Sequence, residues 1–491
     1  MGTTYYLDNS TASASDHNAG TSADAPFKSL AALNRSFAAG DTVAIKAGTT
    51  YSGTLAIMAD GNAAAPVTFT KYGEGVDPLI DAGNRTHGIH MQGANHVVVD
   101  DIAVTNSARV GVEVDEASSG NTFTDMEVMN AGFGYYVAGN GNLFTRNFVH
   151  DLQMVNNTPG GDDDYGAIAF AVEGDNNEFT FNRVERAKAH SYDYGIDGGG
   201  FETWRSVAGL KIRENWVRDS AGFFEAGGVA GDVLTGVEIS SNVSWNNGGF
   251  QFLHNAVGKT NFGMTISGVN VHHNIIIEPS AWTILGFSGP VGEGSYSFTD
   301  NIVYAPNAGQ VFNQPGSYHM SNFYVTAATP TGTNEAGGRI GLTNFAGDLH
   351  LLSGSPAAAS SVYALIELVS PNAPTSQVAR LYDTVFDRAA DLDGLVLWTA
   401  ALQSGASLDT LADAFVTSPE FQARYGSVRD NVFVDLLYRN GLNRGSDVAE
   451  QEFWAGGLGR SVWDRGDVTA FLSESPEHLA KLTLPSIDPL A

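Results

Sequence analysis

Along the first three quarters of the chain, apolar residues come in short β-branched runs broken by Gly, Asn and Asp. Asn heads many of these runs: Asn147-Phe-Val, Asn182-Arg-Val, Asn215-Trp-Val, Asn242-Val, Asn274-Ile-Ile and Asn301-Ile-Val, spaced by 35, 33, 27, 32 and 27 residues. Asp101-Ile-Ala-Val and Asp125-Met-Glu-Val extend the series upstream. A second series interleaves with it, in which Gly leads the run: Gly88-Ile-His-Met, Gly111-Val-Glu-Val, Gly134-Tyr-Tyr-Val, Gly166-Ala-Ile-Ala, Gly200-Phe-Glu-Thr, Gly222-Phe-Phe-Glu and Gly249-Phe-Gln-Phe. A unit of 22–35 residues with two or three short strands cannot bury its apolar face alone. Stacked on its neighbours, it closes one continuous core, so the pattern predicts a parallel β-helix whose loops absorb the variable spacing. The recurrent Asn either forms an inward ladder of amide hydrogen bonds or marks turns. A sandwich or propeller would show polar alternation and hairpin turns instead.

At Ser370-Pro-Asn-Ala-Pro-Thr the composition changes, and a helical period follows. Val378, Leu381, Tyr382, Val385 and Phe386 fall at i, i+3, i+4, i+7 and i+8. The segment also repeats itself. Leu381-Tyr382 returns as Leu437-Tyr438, Arg388 as Arg444, Asp391 as Asp447 and Trp398 as Trp454, each at an offset of 56, and Ser418-Pro-Glu returns as Ser475-Pro-Glu at 57. Residues 375–482 are therefore expected to form an all-α domain with an internal duplication, after a β-helix over 1–370.

With 491 residues and 43% hydrophobic content, the chain is long enough for more than one core. Its 54 acidic against 25 basic residues give a net charge of -29, which makes nucleic acid and anionic lipid poor partners. Cysteine is absent, which removes disulfides, thiol catalysis and cysteine-ligated metal. No run of about 18 apolar residues is present to span a membrane. The opening lacks the basic start and apolar stretch of a secretory signal.

The residues Tyr5-Tyr-Leu-Asp, Asn18-Ala-Gly-Thr, Ala25-Pro-Phe-Lys-Ser-Leu, Gly40-Asp-Thr-Val, Ala47-Gly-Thr-Thr-Tyr and Ala65-Pro-Val-Thr-Phe resemble the start of secreted carbohydrate enzymes of the pectate-lyase-like superfamily. The resemblance spans roughly the first 85 residues and implies a right-handed parallel β-helix. It does not fix the reaction, since lyases, hydrolases and epimerases share this fold. The C-terminal pattern from Leu381 to Phe421 resembles a bacterial domain family of unknown function often appended to secreted proteins. That implies an extracellular location and, with no N-terminal signal, type I export through a C-terminal one, although the glycine-rich calcium nonapeptides of that route are absent.

The stretches Gly161-Asp-Asp-Asp-Tyr-Gly166 and Ser191 to Arg205 are the richest in chemistry. Aligning the Gly-led runs puts Glu113, Glu202, Glu225 and Gln251 in comparable places, about 4.8 Å apart per turn on one face. Asp197, Glu202 and Glu225 are the candidate catalytic carboxylates for glycosidic cleavage, one protonated and one ionised. Asp193, Tyr194, Trp204, Arg205, Gln251, His254 and Tyr165 are the candidate substrate-binding residues. Asp162, Asp163 and Asp164 are either calcium ligands or a solvated turn. Three functions compete: a polysaccharide hydrolase; a calcium-dependent lyase, for which Lys188, His190, Arg205, Lys211 and Arg213 are the basic candidates; and a non-catalytic adhesin or matrix protein. A polysaccharide is the expected partner; the oligomeric state is not legible.

Overall fold

A computed structural model describes residues 2–256, 263–326 and 374–481, apart from 293, 306, 314–317, 321, 389, 391 and 443. The chain divides into two units, Met1–Arg339 and Ile340–Ala491. The composition break at 370–375 lies, up to residue 373, outside the described residues, and a helix begins at Pro374.

The first unit is a right-handed parallel β-helix, as predicted. Successive turns add strands to each of three parallel sheets, which hold 10, 13 and 11 strands among the described residues. One turn runs through Gly199–Thr203, Lys211–Arg213 and Trp216–Arg218, and the next through Phe224–Ala226, Val233–Ser240 and Val243–Trp245. These are strands of the first, second and third sheet in turn. Alternation sends every second side chain inward, where like residues stack: Phe123, Phe144 and Phe179 at centroid distances of 4.9 and 4.7 Å, and Tyr135, Phe170 and Phe201 at 5.1 Å each. Such pairs contribute roughly 0.5–1.5 kcal/mol each beyond the area they bury.

Between the second and third sheets the chain turns through a left-handed residue. Arg146, Phe181, Glu214, Ser241, His273 and Asp300 hold φ between 56° and 59° there, a conformation that costs an L residue roughly 1–2 kcal/mol. The Asn that follows compensates by satisfying the corner. The Oδ1 of Asn215 accepts from the backbone N–H and the Nδ2 of Asn182 at 3.0 and 2.9 Å. Its Nδ2 donates to the Phe179 carbonyl at 2.9 Å and to Asn242 Oδ1 at 3.0 Å. This buried ladder runs unbroken from Asn147 to Asn322, so the Asn series is a ladder and not only a turn marker. Upstream the sequence alignment was one residue out. Asp101 and Asp125 themselves take the left-handed position, and buried Ile102 and Met126 stand where the Asn stands later. A second ladder, Asn121–Asn142–Asn177, lines the entrance to the second sheet.

In the second unit the duplication is visible in side-chain contacts. Arg388 grips Glu420 at 2.8 and 3.0 Å, and Arg444 grips Glu477 at 2.7 and 2.8 Å. Each guanidinium lies 4.9 Å from a tyrosine ring, Tyr382 and Tyr438 respectively. Each glutamate follows a Ser-Pro pair, and the serine hydroxyl accepts the third backbone N–H of the helix beyond (Phe421 and His478). The conserved spacing of Tyr, Arg and Ser-Pro-Glu is thus one clamp built twice. Asp391, part of the same repeat, lies outside the described residues.

Candidate active site

Strand register places one outward column on the first sheet: His90, Glu113, Tyr136, Ala171, Glu202, Glu225 and Phe252. Glu202 and Glu225 are direct partners on adjacent strands, about 4.8 Å apart along the stack. Glu113 shares the column but stands three turns from Glu202 and pairs with His87. Gln251 does not belong to it. Phe252 takes the outward place, and Gln251 is turned inward, 4% exposed, where its Oε1 accepts from the buried Tyr296 hydroxyl at 2.9 Å. A one-residue slip in a strand exchanges its faces, and the Gly-led alignment slipped by one at Gly249. The place of Gln251 in the outward column is therefore corrected: the side chain faces the core, while the residue lies along the lining of the cleft described below.

Asp197 arrives from outside the stack. It ends the hairpin Ala189–Ser191/Gly195–Asp197, and the chain re-enters the sheet through Gly198 at φ +119°, where a Cβ would stand 2.5 Å from the Ala167 carbonyl. The structure thus brings Asp197, Glu202 and Glu225 close enough to act on one another. Desolvation, then the charges of Glu225 and Asp164, push the Asp197 carboxyl up to about 6 against a hydrogen bond from the Gly198 amide. Glu202 is half-buried with its carboxyl surrounded by protein. Desolvation, then Glu225 and Asp197, raise its pKa well above the usual carboxylate range, and a hydrogen bond from Trp204 Nε1 only partly offsets this. Glu225 pairs with His254 Nε2 at 2.7 Å, and the His254 ring lies 5.0 Å from Trp204.

Asp197 and Glu225 border a cleft of about 370 Å³ whose lining also includes Ile196, Gln251, Phe252 and Trp282. A double hairpin stands beside it. The first, Met154–Asn156 with Tyr165–Gly166, is laced to the Asp197 hairpin by the acidic run. Asp164 accepts from Thr158 N–H at 2.6 Å, Ser191 Oγ at 2.8 Å and Asp193 N–H at 3.0 Å. Burial works upward on its pKa, but these bonds hold it below the usual value. Asp163 N–H donates to Asp193 Oδ2 at 3.0 Å, and Tyr194 Oη donates to Asp162 at 2.8 Å. Tyr165, Tyr192 and Tyr194 are left exposed on this wall.

The acidic group close enough to share a cation is Asp163, Asp164 and Asp193, not the run 162–164. Both oxygens of Asp164 already face N–H or O–H donors. Its evident role is to stitch two hairpins. Arg205 turns away to Glu173 at 3.1 Å, and Lys211 and Arg213 lie on the second sheet beside Glu178. Sequence reasoning missed Phe252 and Trp282, because each looked like one more aromatic in a β-run.

Residues 412–482 match the family model described as a domain of unknown function, DUF4214. No curated protein matches the chain. Among solved structures, the chain is similar to a GH136 lacto-N-biosidase from Eubacterium ramulus (13% identity, 67% of each chain covered, TM-score 0.45). It is also similar to a rhamnogalacturonan lyase (15%, 68% of this chain and 88% of that one, 0.46) and to pectate lyase Pel9A (18%, 62% and 78%, 0.43). Among the described residues, no helix is long and apolar enough to cross a membrane.

Proposed function

We propose that the β-helical unit is an extracellular glycoside hydrolase that cleaves polysaccharide in the Asp197–Glu225 cleft. The observation that carries this is the convergence of Asp197, Glu202 and Glu225 with perturbed protonation beside an aromatic-lined cleft. Glycosidic cleavage needs a carboxylic acid to protonate the leaving oxygen and a carboxylate to attack the anomeric carbon or activate water. Asp197, which keeps its proton up to about pH 6 and lines the cleft, is assigned the acid role. Glu225, oriented by His254 at 2.7 Å, is assigned the carboxylate role. Glu202, its pKa raised well above the usual carboxylate range, bonds to Trp204 and fixes the indole.

β-Elimination would instead need a base for the sugar's C5 proton and a cation to neutralise the uronate. Among the described residues, the cleft lining contains no Lys or Arg. Digestion of a panel of neutral and acidic glycans tests the proposal. New reducing ends without ultraviolet-absorbing products are expected. Unsaturated, absorbing ends would make the protein a lyase, and binding without new ends would make it an adhesin.

A further inference from the structure

Three exposed aromatic rings, two of them lining the cleft, share one kind of seat. Trp204, Phe252 and Trp282 are 37%, 40% and 71% exposed. Each ring lies against a glycine of the following turn: Trp204 on Gly227, Phe252 on Gly286 and Trp282 on Gly309. A Cβ on these glycines would stand 2.3, 2.2 and 2.2 Å from the ring. None of the three has positive φ, so the backbone does not require glycine there; the ring above does. Each seat sets glycine backbone against a ring that is otherwise partly exposed. Trp204 is further fixed by Glu202 and His254.

A fixed, flat, solvent-facing ring suits the C–H face of a pyranose, which is apolar and of similar size. The charge beside the track is one-sided. The cleft presents Asp197 and Glu225 with no Lys or Arg among its described lining residues, and Arg205, next in sequence to Trp204, is engaged by Glu173. A uronate would bring a further negative charge beside Glu225 and meet no Lys or Arg among the described lining residues, whereas a neutral sugar meets no such repulsion. We infer that Trp204, Phe252 and Trp282 form a stacking track for the sugar rings of a neutral glycan and disfavour polyuronates. This deepens the hydrolase proposal, and rests on it only in taking the glycan bound to be the glycan cleaved.

The test uses the full chain and linear hexasaccharides of β-glucan, xylan and galactan, beside hexamers of galacturonate and mannuronate. Binding is read by calorimetry and reducing ends by colorimetry. At least one neutral hexasaccharide binds, and the uronates bind at least roughly tenfold more weakly. Trp282→Ala and Phe252→Ala each weaken neutral binding about tenfold, with melting temperatures near that of the parent because both side chains are exposed. Gly309→Ala, which keeps the indole but lifts it from its seat, weakens binding as well. The track is overturned if no neutral hexasaccharide binds, if a uronate binds as tightly, or if Trp282→Ala and Phe252→Ala together leave affinity unchanged. Activity retained in Glu225→Gln, with binding lost in Trp282→Ala, sinks the hydrolase proposal and keeps the track. Activity lost in Glu225→Gln, with binding intact in Trp282→Ala, does the reverse.

Discussion

The corner between the second and third sheets and the outer face of the first sheet use one device with opposite results. Both place like polar residues one above another, a strand spacing apart. At the corner the residue is asparagine, whose amide carries donor and acceptor, so each member satisfies the next from Asn147 to Asn322. On the face it is glutamate, which only accepts when ionised. Glu202 and Glu225 in register cannot satisfy each other, and burial, then the charge of Glu225, drives the protonation of Glu202 upward. A stacked fold therefore obtains stability from one column and reactivity from another, according to whether the repeated side chain can be its own partner.

The sharpest way to break the reactive column is Glu225→Gln, which keeps the volume and removes the charge. Turnover is expected to fall about 10³-fold with little change in the melting temperature, measured by reducing-end release and calorimetry. Replacing Asn215 by Leu breaks the other column. It orphans the Phe179 carbonyl and the Asn182 donors in the core, at a cost of roughly 3 kcal/mol, read as a lower denaturation midpoint.

A carboxyl placed within an amide ladder is a natural hybrid of the two columns. Ser220 N–H donates to Asn247 Oδ1 at 2.9 Å, and Asn247 in turn donates to fully buried Glu278. Desolvation pushes Glu278 up to about 8 despite hydrogen bonds from Ser244 and Asn247. The folded chain therefore keeps a proton that the unfolded chain releases above its ordinary value of 4.5. Fewer protons on the unfolded state mean that stability falls as pH rises from about 4.5 to about 8, by a few kcal/mol. In Glu278→Gln that part of the slope disappears, which denaturation across this pH range will show.

The smallest effect concerns Asp164, a positioning residue. With Asp197 as the acid, kcat/KM declines as pH rises through about 6. Asp164 adds to that elevation through its charge, so Asp164→Asn shifts the decline to lower pH by a fraction of a unit. A decline lying well above 6 would transfer the acid role to Glu202.

The repeat, the Asn ladder and the helical duplication were all legible in the sequence. Each is periodic, and a period survives without knowledge of what lies beside it. Glu202 and Glu225 as neighbours were legible for the same reason. Gln251 was misplaced because the Gly preceding its strand is offset by one, and register, not spacing, decides which face a side chain takes. The acidic run 162–164 could be read as calcium ligands or as a solvated turn because a chain of carboxylates is silent about its donors; Ser191 and the amides of Thr158 and Asp193 become partners of Asp164 only when two hairpins meet. Trp282 gave no sign at all, since its seat on Gly309 lies 27 residues on, in the next turn.

The sequence by itself determined the stacked coil, its buried amide ladder and the twofold helical unit, because burying an apolar face at fixed intervals admits few other solutions. Tertiary structure alone decided which acids share a cleft, which rings stay open and which carboxylates are already engaged. Protonation and exposure depend on neighbours a full turn away, and the loops set that distance.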